Sequence, residues 1–431
     1  MRCVGCWFIV VLLLGIGVLR AKARKGVGPG EQDWGYVDVR EGAHMFYWLY
    51  YTTANVSSYT ERPLILWLQG GPGGPSTALG NFGELGPVDQ KGDPREGNWA
   101  QHVNLLFVDS PVGSGFSYVD NTSLIVSNNE ELTDDLMTFM MYFYKQHKEF
   151  KAVPLHIFTE SYGGKMAPAL AIRLDAAMST GEVANPGTLK SITLGNPWIS
   201  TRHICKEHSR YLFVNGLIDE DGAAKIDAQE DKILKALKDH EFEQATDAYI
   251  EYYDLMQNLT GEVFLYNTQT HVDPSEDRTY GYGDELTNFM QENVSQALQI
   301  NGSVYASQVL DVLTSLHADR LRSEITFIPY LLNKTSVRVN IYSGQLDTLV
   351  PTAATLNLIK DWSWTNKSEY LNAERTPIVV NGRLQGYKKR GGQFGMYWIN
   401  RSGHLVPNDN PSAMQFVLKD VTGYDKNDSP K

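Results

Sequence analysis

Short, unbroken apolar runs punctuate the first half of the chain and return near its end. Leu64-Ile-Leu-Trp-Leu68 and Leu105-Leu-Phe-Val108 contain no polar position, the pattern of central strands buried on both faces. His44 to Thr53 is dense in aromatics, Leu155 to Phe158 is rich in β-formers, and Ser191 to Leu194 makes a further strand. Helical spacings lie between them. Leu132, Leu136, Phe139, Met140 and Phe143 recur at three and four residues behind a capping Asn128 or Asn129, and Met166 to Met178 forms a second helix. Strands alternating with helices predict an α/β fold with a mostly parallel sheet flanked by helices. From about Arg202 to Tyr330 the strands stop and the chain becomes helical and polar. We read 202–330 as a helical cap insertion over the sheet's carboxyl edge, dividing a core into 24–201 and 331–431. Within it, Asp273 to Asp284 reads as an exposed loop open to proteolytic nicking. The strand–helix pattern resumes after Tyr330. Val337, Val339 and Ile341 alternate, a helix runs from about Thr352 to Trp362, Phe394 to Ile399 is the last strand, and a final helix covers Pro411 to Lys419.

Composition narrows the class. A chain of 431 residues with 42% hydrophobic and 11% aromatic residues can bury a large core. A basic start, an apolar run from Trp7 to Leu19 and the ending Ala21-Lys-Ala23 make residues 1–23 a cleavable secretory signal. Cutting there removes Arg2, Arg20 and Lys22, so the charge goes from 38 − 50 = −12 to 35 − 50 = −15. That balance argues against nucleic acid and anionic membranes as partners. Of the three cysteines, Cys3 and Cys6 fall in the signal, leaving Cys205 and no internal disulfide. Its setting, His203-Ile-Cys-Lys-Glu-His208, fits no standard zinc spacing, and no metal or other cofactor is expected. Sequons at Asn55, Asn121, Asn258, Asn293, Asn301, Asn333, Asn366, Asn400 and Asn427 point to N-glycans and the secretory pathway, ending in secretion or the lysosome. The sequence leaves oligomeric state open, a homodimer included.

The chemistry gathers at strand ends. In His156-Ile-Phe-Thr-Glu-Ser-Tyr-Gly-Gly-Lys165 a strand breaks into a glycine turn and then a helix, the context that lifts a serine hydroxyl out of a sheet. Thr159 stands where the usual G-x-S-x-G elbow has glycine. Asp347 follows the next strand after the insertion, and His404 follows the last one. Serine, acid, histidine in that order supply a nucleophile, a carboxylate to fix the imidazole tautomer, and a base.

Trp67-Leu-Gln-Gly-Gly-Pro-Gly-Gly74, Glu84-Leu-Gly-Pro87, Phe107-Val-Asp-Ser-Pro-Val-Gly-Ser-Gly-Phe-Ser-Tyr118, Glu160-Ser-Tyr-Gly-Gly164, Gly344-Gln-Leu-Asp347 and Gly403-His-Leu-Val-Pro407 stand in order along the chain. Together they resemble the serine carboxypeptidases, in their retinoid-inducible, vitellogenic-like branch, from about Trp34 to Val421. The resemblance implies an α/β-hydrolase fold and removal of C-terminal residues from peptides or proteins at acidic pH. It implies Ser161, Asp347 and His404 as the triad, the Gly71 and Tyr162 backbone N–H groups as the oxyanion hole, and Gln69, Glu84 and Glu160 as the seat of the substrate's terminal carboxylate. Acidic pH would let those carboxyls share protons. The chain departs from the family in carrying Gln69 for the usual Asn, Gly74 for a cysteine and Pro75 for a common serine. Two other readings use the same scaffold: an acyltransferase or esterase at the same site, and a non-catalytic protective or binding protein. The sequon at Asn400, close to His404, is expected to be unused.

Overall fold

The computed structural model describes residues 24–270, 283–300 and 304–425. The signal expected at 1–23, nearly all of the loop expected at 273–284, and the Asn301 and Asn427 sequons lie outside those residues. The frame is one eleven-stranded sheet: β1 (Gln32–Arg40), β2 (Ala43–Tyr50), β3 (Leu64–Leu68), β4 (Asn104–Val108), β5 (Tyr118–Val119), β6 (Leu155–Glu160), β7 (Leu189–Gly195), β8 (Arg338–Gly344), β9 (Thr376–Val380), β10 (Arg383–Gly391) and β11 (Phe394–Ile399). Their spatial order is β1-β2-β4-β3-β6-β7-β8-β11-β10-β9, with β5 beside β2. The centre from β4 to β11 is parallel, and the antiparallel strands lie toward the two edges. This is the mostly parallel architecture the sequence predicts.

Side-chain alternation builds a core on each face. Leu64, Leu66 and Leu68 of β3, with Leu106 and Ile157, pack against helix α1 (Asn129–Gln146) and α2 (Gly163–Ser179) through Leu132, Leu136, Phe139, Leu170 and Leu174. Ile65 and Trp67, with Phe107 and Phe158, face the other way onto Phe82, Trp99, Met414 and Val417. Asn128, rather than Asn129, caps α1, its side chain accepting from the Glu131 N–H at 2.9 Å.

The chain between β7 and β8 is helical among the described residues. α3 (Thr201–Val214), α4 (Glu220–Lys238) and α5 (Phe242–Thr260) enclose a cluster of Ile204, Leu212, Ile226, Ile233, Tyr249 and Tyr252, closed by Leu349, Val350 and Ala354 from beyond β8. From Leu286 onward the segment instead packs on the two faces of the sheet, through Met290, Val294, Val312 and Ile328. Cys205 is buried in α3; His203 turns to Ser200 and Asp361, while His208 turns to Tyr252 and the Leu349 carbonyl. Among the described residues no helix is long and apolar enough to cross a membrane.

Three findings go beyond the pattern reading. β1 and β10 are strands that carry too many polar positions to stand out, and β9 is a short strand interrupted by Pro377. Asn381 and Gly382, at φ 50° and 74°, form the tight turn joining β9 to β10. Ser76–Leu85, to which the pattern assigns no element, is a wide helical segment whose end carries Glu84; its closing bond spans five residues, from Gly86 N–H to Asn81 C=O.

β7 ends at Gly195, where a Cβ would lie 2.1 Å from the Tyr342 ring of the neighbouring strand. Gly195→Ala is therefore expected to lower stability by about 1–3 kcal/mol through overpacking, read as a lower urea midpoint at unchanged slope. An unaltered midpoint would contradict this packing.

Candidate active site

Every predicted site residue but Glu84 is delivered by the carboxyl end of a parallel strand or the loop that follows it, where open α/β sheets hold ligands. β3 runs into Gln69 and Gly71, β6 into Glu160 and Ser161, β8 into Asp347, and β11 into His404. Glu84 arrives on the wide helix.

Ser161 holds a left-handed backbone, φ 55°, and is half-buried between the buried Glu160 and Tyr162. A non-glycine residue in that region costs about 1–2 kcal/mol, so the surroundings must impose it. The Ser161 N–H donates to the Gly195 carbonyl at 2.9 Å, and its own carbonyl accepts from the Trp198 N–H at 2.7 Å. Gly70 presses on the turn from β3: a Cβ there would meet the Ser161 Cβ at 2.6 Å. Thr159 fits where glycine is usual because its hydroxyl donates to the Leu68 carbonyl at 2.5 Å and its side chain lies over Gly163. A Cβ on Gly163 would sit 1.5 Å from that hydroxyl, so the crowding falls on Gly163. α2 begins directly after the elbow, directing its free N–H groups and positive end at the serine.

Asp347 and His404 are wholly buried and bonded, Nδ1 to Oδ2 at 2.7 Å, with Asp347 Oδ1 also accepting from the Val350 N–H. With Nδ1–H donating to the carboxylate, Nε2 is the proton acceptor, and it has no hydrogen-bond partner. The histidine loop is tied down from three sides. The His404 N–H donates to the Tyr266 carbonyl, the Gly403 N–H to Asp409, and the Asn196 amide donates to the carbonyls of Gly403 and His404. Asn196 Oδ1 also accepts from the Gly344 N–H at the end of β8. The turn Gly195-Asn196 thus anchors the backbone of both Ser161 and His404.

Gln69, Glu84 and Glu160 form a second cluster, each nearly inaccessible to solvent. The Gln69 amide nitrogen donates to Glu160 at 2.8 Å and Glu84 at 3.1 Å, while its oxygen accepts from the Trp67 indole at 2.7 Å. That indole, a donor only, sets which way the amide points. Burial pushes the Glu84 carboxyl up to about 8, and burial followed by the Glu84 charge holds Glu160 well above the ordinary range. Glu84 Oε2 and Glu160 Oε2 are buried without a hydrogen-bond partner.

A cavity of about 440 Å³ opens beside the serine, lined by Gly71, Ser161 and Tyr162 from the core and by Trp198, Tyr249, Tyr266, Arg320 and Leu349 among others. Tyr266 also stands edge-on to His404, with ring centres 5.2 Å apart. Gly71 takes φ 123°, a backbone available to glycine, and Tyr162 is the residue at the start of α2. The structure therefore brings the three candidate triad residues to one edge, sets Gly71 and Tyr162 on the wall around Ser161, and gathers Gln69, Glu84 and Glu160 apart from the cavity lining. Asn196, Asp409, Tyr266 and Trp67 position these groups and were missed by the sequence reading. The one signal for them was Gly195-Asn196-Pro197, turn residues placed directly behind a buried strand.

A family model described as serine carboxypeptidase matches residues 24–423. The chain belongs to the serine carboxypeptidase family. The retinoid-inducible serine carboxypeptidase of Mus musculus is 32% identical over 417 residues, covering 91% of this chain and 92% of that protein; its Homo sapiens counterpart is 30% identical, covering 96% and 97%. Among solved structures, the prohormone-processing carboxypeptidase Kex1(delta)p of Saccharomyces cerevisiae superposes with a TM-score of 0.79 at 18% identity over 91% of each chain, which establishes the α/β-hydrolase fold.

The carboxyl pair has a thermodynamic consequence. Folded Glu84 keeps its proton up to about 8, whereas the unfolded group releases it near 4.5. The folded state therefore binds more protons in that window, and the pair's contribution to stability is greatest below it and falls as pH rises. Thermal unfolding at pH values from about 4.5 to 8 should show a loss of stability that Glu84→Gln reduces. A variant with the same pH slope as the parent would contradict the assignment.

Proposed function

We propose that this protein is a serine carboxypeptidase that removes C-terminal residues from peptides or proteins at acidic pH through an acyl-enzyme. The observation that carries the reading is the pairing of an elbow serine with a buried carboxyl pair, bridged by one amide, at the same sheet edge. An esterase site has no evident use for the pair; an enzyme that must bind a free carboxylate does. Ser161 Oγ attacks the scissile carbonyl while His404 Nε2 takes its proton, and Asp347 holds the imidazole and balances its charge. The N–H groups of Gly71 and Tyr162 receive the developing oxyanion. His404 then protonates the departing amine, and water reverses the sequence to free the acyl group. The terminal carboxylate of the substrate is held by Gln69 with Glu84 and Glu160, one of which donates its proton across the contact. As the pair ionises the same site repels that carboxylate.

The organisation we propose is a signal over 1–23, a core of 24–201 and 331–431, and a cap of 202–330 that closes the substrate cavity. Sequons at Asn55, Asn121, Asn258, Asn293, Asn333 and Asn366 are exposed and Asn400 is half-buried, which supports glycan use at the former and a route to secretion or the lysosome.

A blocked dipeptide assayed across pH should give a kcat/KM that is high at acid pH and falls as pH approaches about 8, where Glu84 ionises. A profile still rising there would overturn the carboxylate assignment. Ser161 should be labelled by a fluorophosphonate, and Ser161→Ala should lose both labelling and hydrolysis, by about 10⁴-fold or more in kcat. A folded protein that resists labelling would instead fit the binding-protein reading.

A further inference from the structure

We infer that Arg320 reads an acidic side chain on the residue preceding the scissile bond, so that this enzyme favours substrates with a penultimate Glu or Asp. The inference rests on the exopeptidase reading above, which places the terminal carboxylate on the Gln69 cluster. That cluster lies outside the lining of the cavity beside Ser161, so the cavity takes the acyl-side residue. Its walls are largely aromatic and apolar, from Trp198, Tyr249, Tyr266 and Leu349, and Arg320 is the cation among its lining residues.

The Arg320 backbone is held and its half-buried side chain is uncommitted. Its backbone N–H donates to the Leu316 carbonyl at 2.8 Å. Lys165, wholly buried on α2 four residues after the serine, donates from Nζ to the carbonyls of Asp319 and Arg320 at 3.0 and 2.7 Å. Burial lowers the Lys165 ammonium to about 8, so it remains charged at acid pH. The neighbouring acid is occupied elsewhere: Asp319 accepts from the Tyr162 hydroxyl and the Asn129 N–H and pairs with Arg322. Among the described residues the Arg320 guanidinium has no ion pair. The acid it shares the cavity with is Asp254, exposed on α5 and with no ion pair to Arg320 among the described residues. The hydroxyls of Tyr162 and Tyr249 are held neutral by burial. A weakly hydrated guanidinium on an anchored backbone in a largely aromatic wall matches the planar fork of a carboxylate. Against an amide of the same shape it loses the charge and one of two strong acceptors.

The test compares blocked dipeptides that differ only in Glu or Gln at the penultimate position, with a third carrying Lys there, at about pH 5.5 where the substrate glutamate is ionised. The wild-type protein should favour Glu by roughly tenfold in kcat/KM, Arg320→Gln should bring the ratio to about one, and Arg320→Glu should favour Lys over Gln. A wild-type ratio of one or below overturns the assignment with no variant needed. Cleavage of both peptides without preference sinks the role of Arg320 alone. Failure to cleave either peptide, with Ser161 unlabelled, sinks the exopeptidase reading on which it stands.

Discussion

The left-handed backbone of Ser161 is the constraint on which the rest depends. A serine at φ 55° is held there by contacts from the ends of two neighbouring strands: Gly70 after β3, and Gly195 with Trp198 at and beyond the end of β7. Those contacts need close approach, and the glycines supply it. Gly70 cannot carry a side chain without displacing the serine, and Gly163 cannot carry one beneath the threonine. The strain is local and the support is distributed, as expected where a strained residue is kept for its chemistry. The same turn that holds Ser161 extends through Asn196 to His404 and Gly344. One small buried amide thus ties the end of β7, the end of β8 and the loop after β11 into a single register.

Burial of the two glutamates is the second commitment. Placing Glu84 and Glu160 together in the core is unfavourable for every charged form, and their carboxyls answer by holding protons far above the usual range. An apolar pair would stabilise the fold better at neutral pH. What the carboxyls gain is a cluster whose charge follows pH, joined to the reactive edge through Glu160, the residue before the nucleophile. Trp67 and Gln69 make the cluster directional: the indole fixes the amide oxygen, so both amide hydrogens face the carboxyls.

Much of this was legible because buried parallel strands must be continuously apolar, and polar residues that follow them stand out. Ser161, Asp347 and His404 are found in that way, and Leu64–Leu68 and Phe394–Ile399 match the structure in both bounds. β10 escaped because Lys388, Lys389 and Arg390 are half-buried cations satisfied by Asp420, the Leu371 carbonyl, Asn340 and Tyr397, contacts set by tertiary partners rather than by period. The wide helix at Ser76–Leu85 escaped because Gly80 and Gly83 read as loop, whereas Gly80 is there to pass under the Trp67 ring. Asn196 and Asp409 bond to backbone far away in sequence, and nothing in their neighbourhood announces that.

The positions that line the cavity were the least legible, and the reason is architectural. Nucleophile, acid and base hang from strands whose ends the sheet aligns, so their order along the chain already implies their meeting. The cavity wall is contributed by helices inserted between β7 and β8, whose packing is governed by a separate cluster around Ile204, Ile226 and Tyr252. Lys165 links the two systems. It is buried in the core helix that starts at the elbow, yet its ammonium is satisfied by carbonyls of the insertion at Asp319 and Arg320. A buried ammonium cannot release those carbonyls without a large desolvation cost, so the insertion is held in one placement over the serine. The two systems are thereby coupled through a single α2 residue: the helix that begins at the serine elbow also sets where the backbone of the cavity's cation stands.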